Sequence, residues 1–333
     1  MAAVRRGEEA MVPEAEFRSY YGQPIIKSPV WHEPHMPVYL YLGGLSGTAS
    51  TMAAAARIAG NDRLALTARV TAALGAAAGA GFLVAELGRP ERFLNMLRVF
   101  KPTSPMSMGS WLLAVHSGLT ALAAASALGP VLPPSPVTAV LRAPAVASVL
   151  PAAGDAAVMA TVLTGPLMST YTAVLLADTA VPAWHEAHRE LPFLFAGSAL
   201  ASAGAAGMLA TPHAQAAPAR AAAVLGAVVE TVAGAVMERR LGLVGEPYRQ
   251  GKAGRRMRLA RALTVGGGLL AVVAGRSRVL TGLSGAALTA GALCTRFGLL
   301  EAGRASAADP KYTVVPQRRR LDAGRPASVP AGP

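Results

Sequence analysis

Apolar stretches long enough to cross a lipid bilayer recur eight times in this chain, and that recurrence constrains its fold more than any other feature. A crossing helix needs roughly 20 apolar residues. The stretches run over Val38–Ala59, Leu66–Leu87, Ser110–Leu128, Ala145–Ala177, Pro192–Ala210, Ala219–Met237, Leu259–Ala274 and Val279–Leu300. In hydrocarbon each backbone N–H and C=O must find a partner inside the protein, so runs of this length predict helices. The expected fold class is all-α integral membrane, with eight transmembrane helices. The fourth stretch holds Pro151 and Gly165-Pro166, which predict a kink or a break. A break would raise the count to nine.

Composition agrees. Only 15% of the residues are charged, against about 25% in soluble domains, and mean hydropathy is +0.40. The surface of an ordinary soluble protein cannot be built from this pool. Gly43 and Gly47, and Gly75 and Gly79, form GxxxG pairs that permit close helix contact.

The formal net charge is +13. The basic residues lie between apolar runs rather than along one face, which argues against nucleic acid and for membrane topology. With eight spans, both termini share a side. That side collects 24 Lys and Arg, and the opposite side 7, so the termini are expected in the cytoplasm of a cell membrane. The domains are then a cytoplasmic segment over 1-37, a membrane domain over 38-300 and a basic cytoplasmic tail over 301-333, disordered at its end. The first thirty residues hold no apolar core, so neither a cleaved signal peptide nor a twin-arginine leader is expected.

The lone cysteine, Cys294, excludes a disulfide framework and any iron–sulfur cluster held by this chain alone. Only His116 of the six histidines falls deep in a span, so no bis-histidine haem is expected. His185 and His188 sit in a WHEAH loop without the HExxH pattern, and no metal is assigned to them.

Ionisable groups inside spans cost about 2.5–3.5 kcal/mol at a bilayer centre and persist where they face a cavity or a partner. Asp155 and Glu230 are such groups, and Glu86 ends the second stretch three residues before Arg89. They line a proton route or are hydrogen-bonded packing residues. The connector Arg92–Phe100 has apolar residues at helical spacing and predicts an amphipathic helix at the interface. Its basic residues Arg89, Arg92, Arg98 and Lys101 are candidates for docking a partner.

Three segments carry a resemblance: YLYLGGLSGTAS, ELGRPERFLNMLRVFKPTSPMSMGSW and YTAVLLADTAVPAWHEAHRELPFLFAGSALASAG. From about Trp31 to Arg320 the chain resembles the NrfD/PsrC family, the quinone-reactive membrane subunits of polysulfide reductase and related complexes. The C-terminal EAGRASAADPKYTVVPQR resembles members encoded with formate dehydrogenases. The resemblance implies two four-helix bundles and a menaquinone or ubiquinone site at one end of the first. It implies a ferredoxin-like subunit with four [4Fe-4S] clusters as partner, fed by a molybdenum or tungsten catalytic subunit. Tyr171 matches the family's tyrosine near the quinone head group, although Ala173 replaces the usual glycine. His35, Tyr39 and Asp178 lie at the same expected end, and Glu86 stands where many members carry an acid. Two other readings remain. A secondary transporter suits broken helices with buried acids, and a passive anchor binds the iron–sulfur subunit but no quinone.

Overall fold

The computed structural model describes residues 24–129 and 131–324. In chain order its helices are α1 His35–Ile58, α2 Asp62–Glu86, α3 Pro105–Leu128, α4 Pro136–Arg142, α5 Pro144–Ala177 and α6 Pro182–Glu186, then α7 Leu191–Ala210, α8 Ala217–Arg240, α9 Glu246–Arg249, α10 Gly251–Val273, α11 Arg278–Ala308 and α12 Lys311–Gly324. No strand occurs among the described residues. Seven helices are long and apolar enough to cross a membrane: α2, α3, α5, α7, α8, α10 and α11. The protein is therefore a multi-pass helical membrane protein. The 24 residues of α1 reach ~36 Å at 1.5 Å per residue, but glycine, serine and threonine dilute its apolar content.

Contacts sort the long helices into two groups. α1, α2, α3 and α5 pack together, as do α7, α8, α10 and α11, and α1 and α5 join the groups by packing on α7. Small residues set the spacing. A Cβ on Gly47 would lie 2.5 Å from the Gly165 carbonyl oxygen, so α1 and α5 cross backbone to backbone. Gly197 and Gly226 do the same for α7 and α8. Without a hydrophobic drive between helices in lipid, such close van der Waals contact is what holds them.

α5 runs unbroken through Pro151 and Pro166, so the expected break is absent and the fourth stretch is one helix. Pro166 removes one helical N–H, and the hydroxyls of Ser169 and Thr170 bond its carbonyl oxygen at 2.8 and 2.9 Å. The connector after α2 is helical, as expected, but takes the tighter 3₁₀ form over Pro90–Leu97.

α11 continues past Leu300 to Ala308, and α12 makes the tail helical to Gly324. The Lys311 ammonium holds α12 to α9 through Glu246 at 3.0 Å. That contact keeps the Glu246 carboxyl below the usual carboxylate range. The expected disorder at the end of the tail, and most of the N-terminal segment, lie outside the described residues.

The up-and-down order fixes two ends. His35, Glu86, Pro90–Leu97, α6, α9 and α12 gather at one, here the docking end; Arg57, α4 and Arg276 gather at the other. Arg296, one of the 24 basic residues assigned to the terminal side, is only 1% exposed inside α11. Without it the basic count is still 23 against 7.

Candidate functional site

Residues 30–33 lie across the docking end, between the two groups of helices. Glu33 is tied to the second group by Arg256 at 3.1 Å and Arg304 at 3.6 Å. Trp31 stacks on Trp184 with ring centroids 5.4 Å apart. Trp184 is fully buried, donates its indole N–H to the Leu299 carbonyl oxygen at 2.8 Å, and fits because Gly303 has no Cβ. On the other side the His32 backbone N–H donates to Glu86 Oε1 at 2.8 Å, with the His32 ring Nδ1 at 3.2 Å. The segment is thus pinned at both edges.

Beneath it lies a chamber of about 430 Å³ enclosed by α1, α2, α3 and α5. Its wall is mostly apolar: Trp31, Met36, Leu83, Met106, Leu113 and Leu175. His32, Tyr39, Glu86, Ser110 and Tyr171 interrupt that wall with polar groups. Glu86 Oε2 is buried and has no hydrogen-bond partner, and its nearest basic neighbour is His35 Nδ1 at 3.6 Å. Tyr39 and Tyr171 border the same chamber, and neither hydroxyl is bonded among the described residues. A buried acceptor without a partner costs roughly 1–3 kcal/mol. A ligand that fills the chamber and offers a donor to Glu86 recovers that cost.

Tyr171 is seated by a glycine. A Cβ on Gly109 would lie 2.4 Å from Tyr171 Cε2, so the phenol ring rests directly on the α3 backbone. Ser104 caps α3 by accepting from the Ser107 N–H at 3.4 Å, and Trp111 Nε1 bonds the Val99 carbonyl oxygen at 3.3 Å. These contacts fix α3 to the connector and so place Gly109.

The sequence-selected residues divide. Tyr39, Tyr171 and Glu86 come together in the chamber, and His35 stands behind Glu86. Asp178 does not join them: it is exposed just past the end of α5. Asp155 lies at the far end, 41% exposed, clamped by Arg57 at 2.9 Å and Arg69 at 2.7 Å. His116 is fully buried between Ser46 Oγ and Thr164 Oγ1, each at 3.0 Å. Arg89, Arg92, Arg98 and Lys101 are all exposed at the docking end. His185 and His188 turn Nδ1 to backbone carbonyl oxygens, and no metal-holding cluster occurs among the described residues.

Glu230 lies in the second group. Thr295 donates to its Oε1 at 2.7 Å and Thr264 to its Oε2 at 3.4 Å. Arg296 makes no direct bond to it, and stacks on the Phe195 ring at 3.7 Å. Arg296 Nε and Nη1 have no partner. A gap of about 30 Å³ leads from Glu230 toward Glu238 and Arg261 at the docking end.

Trp31, His32, Met106 and Arg296 escaped the sequence reading. Arg296 carried a usable signal, because a lone acid in one apolar span asks for a base in another.

The fold and chamber define a class: a multi-pass helical membrane protein with a largely apolar chamber at one end, open to polar head-group chemistry. The family model described as polysulphide reductase, NrfD matches residues 24–245, and the chain belongs to that family. The family is one of membrane subunits of quinone-interacting oxidoreductase complexes. No curated protein matches the chain.

Proposed function

We propose that this chain is the quinone-reactive membrane subunit of a multi-subunit oxidoreductase, built as eight transmembrane helices in two four-helix bundles. One observation carries the reading: an unpartnered buried carboxylate oxygen and two free phenols share one apolar chamber. A quinone ring needs apolar flanks, donors for its two carbonyl oxygens and a proton source. Tyr39 and Tyr171 supply the donors. Glu86 supplies a proton and is refilled through His32 and His35 from the aqueous end.

Reduction to quinol takes two electrons and two protons. The electrons come from a docked ferredoxin-like iron–sulfur subunit, itself supplied by a molybdenum or tungsten subunit of formate dehydrogenase or polysulfide reductase type. The exposed Arg89, Arg92, Arg98 and Lys101 surround the same end and suit an acidic partner face. Protons and electrons then arrive from one side, and turnover alone moves no charge across the membrane. Asp155 and Glu230 do not border the chamber, so Glu86 alone serves it.

The test is purification with natural companions. Bound menaquinone or ubiquinone should be extractable, together with iron–sulfur signals from a cysteine-rich subunit. A preparation that transports a solute and contains neither would establish the transporter reading.

The basic count supports a cytoplasmic docking end. A reporter fused after Pro333 should be active only in its cytoplasmic form; activity confined to the outside reverses the orientation.

A further inference from the structure

The far end of the first helix group holds a cavity of its own, of about 190 Å³. Arg57, Asp62, Arg69 and Asp155 line it, with Ala65, Leu66 and Ala127 between them. Two bases and two acids cancel in formal charge. Arg57 and Asp62 are exposed, Asp155 is half-exposed, and Arg69 is only 9% exposed.

Asp155 accepts from Nε and Nη2 of Arg57 at 3.2 and 2.9 Å and from Nη2 of Arg69 at 2.7 Å. That clamp leaves donors and an acceptor over. Arg69 Nε is buried without a partner. Nη1 of both arginines and the Asp62 carboxylate make no hydrogen bond among the described residues. An anion alone would meet the two carboxylates, and a cation alone the two guanidiniums. A ligand carrying both signs satisfies the whole lining.

Depth selects the source of such a ligand. Asp62 is the first residue of α2, and Arg69 lies ~10 Å deeper at 1.5 Å per residue. The headgroup layer is roughly 5–8 Å thick on each face of a bilayer, so the cavity spans that layer and ends just beneath it. From Leu66 in the lining, Val70 and Leu74 follow at four-residue spacing, which makes one row on α2. Leu74 is exposed, so the row faces lipid.

We propose that this cavity binds the headgroup of a phospholipid carrying both a phosphate and a primary ammonium, the class of phosphatidylethanolamine. The phosphate takes the spare N–H groups of Arg57 and Arg69. The ammonium donates to Asp62, and one acyl chain follows the row from Leu66 to Leu74. A headgroup without an ammonium leaves Asp62 facing the phosphate, and a choline headgroup has no N–H to donate. The site lies at the opposite end from the chamber and does not depend on the quinone reading.

The test titrates the full chain, purified with its natural companions and stripped of lipid in mild detergent. Phosphatidylethanolamine, phosphatidylcholine and phosphatidylglycerol with identical acyl chains are added, and bound lipid is counted by native mass spectrometry. Phosphatidylethanolamine should bind about tenfold more tightly than phosphatidylcholine, the worth of one hydrogen bond to a charged group. Asp62→Asn and, separately, Arg57→Gln should each bring that ratio within about twofold. Asp62→Asn breaks no hydrogen bond of the fold, so it decides the matter if Arg57→Gln fails to assemble. No preference in the wild type, or a preference that either assembled variant keeps, would overturn the proposal. Phosphatidylglycerol binding as tightly as phosphatidylethanolamine would mark a plain anion site and overturn it too. So would competition by free O-phosphoethanolamine as strong as by the whole lipid, because the ligand would then be a soluble phosphate ester.

Discussion

Glu86→Gln is expected to lower quinone turnover by about 100-fold, the lower range for removing a positioned proton donor. The amide keeps the size of the side chain and can still meet the His32 N–H that Glu86 accepts at 2.8 Å. It cannot hand on a proton. KM should therefore change little while kcat falls. Tyr171→Phe should act differently, because it removes one hydrogen bond and leaves the ring on Gly109. Losing such a bond costs about 1 kcal/mol, so KM should rise by roughly fivefold. The split between the two variants separates proton delivery from ring binding. Steady-state kinetics on complexes of unchanged subunit content would measure it. Wild-type kcat in Glu86→Gln would remove Glu86 from the mechanism.

Glu230→Leu should destabilise the protein by on the order of 3 kcal/mol, the low end for breaking a buried charge pair. The low end applies because Arg296 is not in direct contact with Glu230. The substitution leaves Arg296, 1% exposed, with Nε and Nη1 unpartnered and no compensating charge nearby. It also removes the 2.7 Å bond from the Thr295 hydroxyl to Glu230, leaving that hydroxyl the Gly291 carbonyl oxygen at 3.1 Å. Combining Glu230→Leu with Arg296→Met should recover most of the loss, since two apolar side chains replace two buried charges. Thermal unfolding in detergent reads both effects. A double variant no more stable than the single one would mean that the two charges do not compensate each other.

Much of this molecule is legible in its sequence because a bilayer leaves few choices. Run length anticipates the seven helices long and apolar enough to cross a membrane, and α5 is one 34-residue helix that holds two prolines. Glu86 is legible as an acid that ends an apolar run, and Tyr39 only through the family resemblance. Trp31 and His32 were not, because residues 30–33 have no periodicity that reveals the tie of Glu33 to Arg256. Arg296 escaped for another reason. Near the end of an apolar run a charge reads as a boundary, and only the continuation of α11 to Ala308 shows that it is interior. Asp155, an acid inside an apolar run, is 41% exposed beside two arginines, a pairing that its own run does not reveal.

The central claim concerns where a quinone ring rests. A photoreactive quinone carrying its azide on the ring, activated in the intact complex and followed by peptide mass spectrometry, addresses it most directly. Labelling should fall on the chamber wall, at Met36, Met106, Leu113 or Leu175, and should be displaced by unlabelled quinone. Displaceable labelling confined to α7–α11, with the chamber peptides clean, would contradict the account.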